Sequence, residues 1–359
     1  MHRRFLNVIV QDLNSRINSL YLVDPRKHLF YRPTGKIEAA EDAKSENKNP
    51  AALIDRFKFH NPQFRFESSI RDKPMHFFSA LVKENCLLLA DSTRNAFLYD
   101  IDLNSVQPLP PMYFPKGPNS VYFSAPQENP RYPLHSKCIY VLDLLPATTI
   151  NSSFEVLNYF SDEVSEPHVR HNYTNRFFWD NLPLPPFLGD AYGRAIVCSS
   201  MMIEGSSICI SSVEKGVGTY TFDIGANVWT QAGNWVLPFY GKAEYVPELN
   251  LFFALSSDSP HRLCALDCSA IHNAGPPTLL HTFEDLDLPE NWSSYKCHLV
   301  NLGSGNFCII SFCKAMKREF ALFTGVEVKH CSDAYSPLRM IKHQSKCFSL
   351  RSHSIKCVL

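Results

Sequence analysis

Cys264 and Cys268 stand four residues apart, and Cys308 and Cys313 stand five apart. Thiolates that converge can hold zinc, and residues four apart on an extended strand share a face. A structural zinc site, however, needs two such pairs or histidines at ligand spacing, and the chain has no Cys-x-x-Cys pair. Both pairs fall within apolar, strand-like runs, where a thiol acts as a small packed hydrophobe. His135, His261, His281, His298 and His330 lie near the ends of such runs without ligand spacing, so they read as surface or satisfied core residues. Gly216-Val217-Gly218 is a fragment of a phosphate loop, but no third glycine and no helix follow, which leaves a hairpin. Gly303-Ser304-Gly305 lacks the spacing of a nucleophile elbow and reads as a tight turn between two strands. No catalytic, cofactor-binding or metal-binding residue is expected, and no cofactor.

Two further stretches could contact a partner. Glu284-Asp285-Leu286-Asp287 reads as a solvated loop, with an acidic partner-binding loop as the alternative. In RFKFHNPQFRFE (Arg56 to Glu67), Phe57, Phe59, Phe64 and Phe66 alternate with Lys58 and Arg65. That pattern fits a stacking platform for nucleic acid, but it fits a half-buried amphipathic strand better. Lys+Arg and Asp+Glu are both 35, so no net field draws the chain to nucleic acid or an anionic membrane.

No run of 18 apolar residues occurs. The apolar run in MHRRFLNVIVQDLN is too short for a signal segment and lacks a small-residue cleavage site. An intracellular chain, cytoplasmic or nuclear, is therefore expected, with its 12 cysteines reduced and the sequons at Asn151, Asn172 and Asn291 chance matches.

The elements that would position any site are short strands. Helical periodicity is nearly absent and 25 prolines punctuate the chain. Strands are expected at Phe5–Val10 and Ile17–Val23, followed by the charged tract GKIEAAEDAKSENKNPAA, which reads as a mobile polar insertion at about 36–51. Beyond Met75 the strands come in sets. HFFSALV, CLLLADS and NAFLYDID lead to Leu109-Pro110; SVYFSAP, KCIYVLDLL and SFEVLNYF lead to Leu182-Pro183. AIVCSSMMI, SICISSV and GTYTFDI lead to Leu237-Pro238; AEYVPEL, LFFALSS and HRLCALDC lead to Leu288-Pro289. A fifth set, KCHLVNLG, NFCIISFC and FALFTGVEV, ends less clearly.

Before each Leu-Pro pair a strand closes on a large apolar residue and then Asp or Asn: Tyr99-Asp100, Leu157-Asn158, Phe222-Asp223 and Leu266-Asp267. A recurring unit of four short strands is the signature of a propeller blade. Within it, Tyr220 and Phe222 point to one face, Asp223 opens the turn, and Trp229 or Trp235 adds bulk between blades. The residues expected to build blades are therefore Tyr99, Asp100, Tyr220, Phe222, Asp223, Trp229, Trp235 and Asp267. The fold class is all-β: a single β-propeller domain over 1–359, six-bladed with five or seven as alternatives. Two strands from each terminus are expected to form one mixed blade, which puts residues 5–10 and 353–358 in one sheet.

The order "aromatic-x-Asp, short turn, Trp, Leu-Pro" resembles kelch-type and F-box-associated propellers. Along nearly its whole length the chain is similar to a plant family, expanded in grasses, described only as a domain of unknown function. The segments that carry this resemblance are RRFLNVIV, HLFY, SSVEKGVGTYTFD, WVLPFYGKAEYVPELNLFF, LGSGNFCI, FTGVEV, LRMIKHQSK and IKCVL. The double glycine of kelch second strands is absent, and no F-box precedes the repeats. Such a scaffold implies a monomeric, non-enzymatic module that binds a protein partner, with no nucleic acid or membrane partner. The alternatives are an enzyme or sugar-like ligand site at the central channel and, more weakly, an adaptor in protein turnover.

Overall fold

The structure is a computed structural model describing residues 4–30, 55–56, 58–67, 75–79, 86–91, 93–116, 120–129, 132–143, 153–160, 176–188, 195–258, 261–284, 288, 292–315, 318–331 and 338–359. The insertion expected at 36–51 lies outside these residues. The chain divides into two compact units. A terminal unit takes residues 1–67, 238–270 and 277–359; a central unit takes 68–237 and 271–276.

The terminal unit opens with β1 (Leu6–Asp12) and β2 (Asn18–Val23). Helix α1 (Pro25–His28) is a single turn, capped by the Asp24 carboxylate accepting from the Arg26 amide. The two-residue β3 (Asp55–Arg56) and β4 (Phe64–Phe66) follow.

The central unit holds three antiparallel meanders. The first is β5 (Met75–Ser79), β6 (Cys86–Asp91), β7 (Ala96–Asp100) and β8 (Ser105–Leu109). The second is β9 (Val121–Asn129), β10 (Tyr132–Leu142), β11 (Phe154–Phe160) and β12 (Arg176–Leu182). The third is β13 (Val197–Ile203), β14 (Ser207–Ser212), β15 (Gly218–Asp223) and β16 (Val228–Gly233).

The terminal unit resumes with β17 (Phe239–Val246), β18 (Leu251–Ser256), β19 (Leu263–Asp267) and β20 (Thr278–Thr282). Next come the long strands β21 (Ser293–Gly303), β22 (Asn306–Ala315), β23 (Arg318–His330) and β24 (Leu338–Ser349), with β3 added parallel to β24. The last strand, β25 (His353–Val358), returns to the start of the chain, and its sheet runs β25-β1-β2-β4.

Period-two alternation explains why middle strands read as unbroken apolar runs. In β10, Cys138, Tyr140 and Leu142 pack with Phe154 of the same meander and with Ile208 and Phe222 of the third. Ile139 and Val141 face the other way, against Leu88, Ala90, Leu157 and Trp179. Strand β22 behaves likewise: Phe307 and Ile309 meet Val246 and Phe253, while Cys308 and Ile310 meet Leu6, Val8 and Phe323. Both faces of these strands are buried, which is how stacked blades differ from a one-faced sheet.

Residues 6–10 of the expected 5–10 do share a sheet with 353–358: Val8 pairs with Val358 and Gln11 with Ser354, while Phe5 lies just ahead of the strand. The division of strands differs from the expectation of two from each end. One strand comes from the C-terminal end and three from the N-terminal end. LRMIKHQ and SKCFSL form one strand, β24, which pairs with β23 from Phe320↔Ser349 to His330↔Leu338 and so completes its own set. Only β25 remains for the shared sheet. The stretch from Lys58 to Phe66 is likewise not one strand, because Asn61 takes a left-handed backbone (φ 50) ahead of Pro62 and breaks it. Phe59 instead packs into the core at 4.4 Å from Phe348 and 5.0 Å from Tyr21, which removes it from any stacking platform.

Trp229 on β16 packs against Phe222 (5.0 Å) and Phe154 (5.7 Å), and its indole N–H donates to the Pro183 carbonyl at 2.7 Å. Trp179 on β12 does the same to the Pro110 carbonyl at 3.0 Å. Each outer-strand tryptophan thus clamps the exit of the preceding meander. Replacing the half-buried Trp229 by Ala is expected to cost about 2–3 kcal/mol through lost packing, short of the range for a fully buried tryptophan. Trp229→Phe is expected to cost about 0.5–1.5 kcal/mol, because the ring stays and water can reach the exposed carbonyl that loses its donor. Urea midpoints of the two variants check the order; equal midpoints with the parent would show that this clamp holds nothing.

Candidate functional site

In an up-and-down meander the turn between the second and third strands lies at the same end as the linker that leaves the fourth. The second-turn edges carry most of the buried polar side chains among the described residues, and further half-buried polar side chains close turns there. Asp91, at the end of β6, accepts from the Thr93 amide (2.8 Å), the Thr93 hydroxyl (2.6 Å), the Asn95 amide (3.1 Å) and the Asn95 side-chain amide (3.1 Å). Asp12 ends β1 and accepts from the amides of Asn14 and Ser15, bonds that hold its carboxyl below the usual range. Ser212 accepts from the Glu214 amide, and Ser256 from the Arg262 amide. Short polar side chains at this position close the turn by mimicking a backbone carbonyl. The signal is visible in VIVQD, LLLAD, CISS and FALSS, but sequence reasoning fixed on the third strand instead.

The third-strand residues hold the opposite edge. Tyr99 is fully buried and donates to the Asn104 side chain at 2.8 Å, while Asp100 accepts from the Leu103 amide at 3.0 Å. Asp223 accepts from Ala226 (2.8 Å) and Asp267 from Ser269 (2.9 Å). Tyr220 lies 5.1 Å from Phe187, and Phe222 meets Phe154 edge-on at 4.9 Å. Trp235 lies at the second-turn edge. Its carbonyl accepts from the Thr219 hydroxyl at 2.6 Å and its indole donates to the Ala274 carbonyl at 3.2 Å. A Cβ on Gly233 would stand 2.2 Å from that indole nitrogen, so the ring can fold back only over glycine.

The residues that sequence reasoning missed are Lys116, Ser153 and Glu155. Lys116 leaves the linker after β8 and reaches the start of β11, where its ammonium sits 2.5 Å from Glu155 and also donates to Ser153. Glu155 further accepts the amides of Tyr113 (2.9 Å) and Phe114 (3.1 Å). Lys116, Glu155, Ser153 and the nearby Asp143 are all buried. Burial pushes the Lys116 ammonium below its ordinary range, and Glu155 opposes that shift. A glutamate inside the apolar run SFEV signals that some cation must meet it, though not which one.

None of these groups is both activated and reachable. Lys116 is closed off by its partners. Cys264, Cys268 and Cys313 are unpaired thiols that burial pushes up to about 12, and burial raises Cys308 further. Among the described residues no group of His, Cys, Asp and Glu is placed to hold a metal ion. The histidines stay apart: His261 bonds the Ser256 carbonyl at 2.8 Å and stacks on Tyr240, and His281 lies 4.4 Å from Phe283. The His135 side chain and the acidic residues Asp285 to Asp287 lie outside the described portions. Gly216, Val217 and Gly218 form the turn into β15, and Ser304 and Gly305, both with positive φ, close the hairpin between β21 and β22.

His298 on β21 is exposed, yet the protein packed around it and the charge on Lys296 push its imidazole down to about 4. A folded-state value below the ordinary 6.5 means that the unfolded chain takes up this proton first. Stability is therefore expected to fall as pH drops from 6.5 toward 4, by a fraction of the full shift because solvent reaches the ring. Urea midpoints at neutral pH and near the lower limit should show a smaller loss in His298→Gln than in the parent. An equal loss would sink the assignment.

Among other side chains, the second-turn edges offer large apolar ones to solvent. In the central unit they expose Tyr113 (52%), Ile196 (52%) and Val213 (70%). In the terminal unit they expose Leu13 (50%), Tyr240 (40%) and Tyr295 (51%). The remaining large exposed apolar residues, such as Leu103 and Val228, belong to other edges.

Successive antiparallel meanders, with the N-terminal strands completed by the last strand of the chain, define a β-propeller. The chain belongs to the family described as "Protein of unknown function (DUF1668)", whose profile matches residues 3–348. No curated protein matches it. Among solved structures, it is similar to the Myceliophteria thermophila Cps50 (Swd1) beta-propeller domain at 8% identity, covering 78% of this chain and 76% of that one (TM-score 0.39). It is also similar to the fission yeast SREBP–SCAP binding domains at 11% identity, covering 88% and 92% (TM-score 0.36). Kluyveromyces lactis Hsv2 matches at 9% identity, covering 77% and 99% (TM-score 0.29).

Proposed function

We propose that this chain is a non-enzymatic propeller scaffold that binds protein through its second-turn edges. One observation carries the reading: large apolar side chains stand exposed at the second-turn edges of each unit, beside turns closed by polar side chains that are buried in the central unit. Rigid turns presenting apolar anchors suit recognition, since little ordering entropy is lost on docking. In the same reading the two units belong to one domain, the protein is monomeric and intracellular, and its kinship lies with the kelch-like and F-box-associated propellers of plants.

Proximity labelling with the full chain in cells that express it tests the reading. A reproducible set of proteins should be labelled, and the set should shrink when Leu13, Ile196 and Val213 are each replaced by Asp. Labelling no richer than that of an unrelated control, together with a small metabolite that raises the melting temperature, would favour a ligand site at the central channel instead.

A further inference from the structure

The second-turn edge of the β21–β24 sheet differs from the others in charge. Tyr295 on β21 is 51% exposed, and the Lys314 ammonium of β22 lies 5.2 Å from its ring centroid. Lys314 also pairs with Glu319 of β23 at 3.1 Å, which neutralises the described acidic residue at this edge. Arg318 precedes Glu319 and is exposed, as is Lys296 on β21. Exposed Arg351 follows Leu350, whose amide bonds the Glu319 carbonyl at 3.0 Å. The ends of four strands thus line up a basic rim around an exposed tyrosine, on a chain whose formal net charge is zero.

Trp292 adds a second aromatic, but one face of its ring is covered by Phe320 at 5.3 Å and 10°. With Lys314 over Tyr295 and Phe320 over Trp292, the edge offers cations and ring edges rather than open stacking platforms. A neutral chain also lacks the long-range field that gathers a polyanion. We propose that this edge docks an acidic peptide segment of a partner protein. Its carboxylates would meet Arg318, Arg351 and Lys296, and an apolar side chain would rest on Tyr295. The inference rests on the scaffold reading above and names the partner chemistry for one of its edges.

Fluorescence anisotropy on the full chain tests it with three labelled probes: a short Glu/Asp-rich peptide with a central Phe, the same peptide with Lys for each acid, and oligothymidine. The acidic probe should bind and the basic one should not. Arg318→Glu with Arg351→Glu, both on exposed side chains, should weaken binding by about ten-fold or more while the melting temperature holds. Tyr295→Ala should weaken the Phe-bearing probe more than a Phe-free one. Equal binding of the two peptides, no effect of the charge reversals, or tighter binding of oligothymidine would overturn the proposal. If the charge-reversed chain still labels the parent's protein set in cells, this edge is excluded while the scaffold reading stands; if the parent labels none, the scaffold reading falls too.

Discussion

Removing Ser354–Leu359 is expected to unfold the terminal unit. These residues form nearly all of β25, the partner of β1 along Val8↔Val358, Ile9↔Cys357, Val10↔Ile355 and Gln11↔Ser354. Leu359 extends the ladder, exchanging both backbone bonds with Asn7 at 2.9 Å. Each such bond contributes about 0.5–1.5 kcal/mol net, and Ile355 and Val358 also pack on the core around Leu6, Val8 and Val10. The loss rivals the whole stability of an ordinary domain, about 5–15 kcal/mol, and leaves an apolar edge strand bare. The truncated chain should lose its cooperative transition or melt more than about 10 °C lower. A synthetic peptide spanning Ser352–Leu359, added in trans, should restore part of that loss by re-adding the strand. A truncated protein that stays soluble and melts with the parent would show that β25 does not hold this sheet.

The second large effect is expected at the buried ion pair. Lys116→Met removes the counter-charge of a fully buried carboxylate, and breaking such a pair costs about 3–5 kcal/mol. Glu155→Ala should be at least as damaging, because it strands Lys116 and also the amides of Tyr113 and Phe114. Combining Lys116→Met with Glu155→Gln removes both charges and keeps a carbonyl for the linker amides. The double variant is expected within about 2 kcal/mol of the parent, well short of the sum of the single effects. Chemical denaturation of the parent, Lys116→Met, Glu155→Gln and the double variant measures this cycle directly, with Glu155→Ala as a separate comparison. Strict additivity, or a Lys116→Met variant as stable as the parent, would mean that the pair does not anchor the linker between the first two central meanders.

Local chemistry carried the sequence reading as far as the blade unit. Period-two alternation, the Asp closing the third strand at Asp100, Asp223 and Asp267, and proline at 110, 183 and 238 act over a few residues, so Tyr99-Asp100 and Phe222-Asp223 mark their turns without reference to the rest of the chain. Leu157-Asn158 does not close its strand: β11 runs on to Phe160, and the buried Asn158 side chain bonds Cys138 and Asp180 instead. The need to join the two ends of the chain in one sheet followed equally from the sequence, since an unpaired strand beside an apolar face is unstable wherever it occurs. Tertiary structure decided what distance hides. Lys116 finds Glu155 39 residues away, and Trp229 reaches Pro183 46 residues back. The split of one strand against three at the shared sheet depended on β24 extending along all of β23. Spacing along the chain cannot specify such pairings, because a buried charge or indole N–H accepts any partner that packing delivers. The same holds for the exposed apolar side chains: nothing in the sequence marks Val213 or Tyr295, and the meanders place each at a second-turn edge.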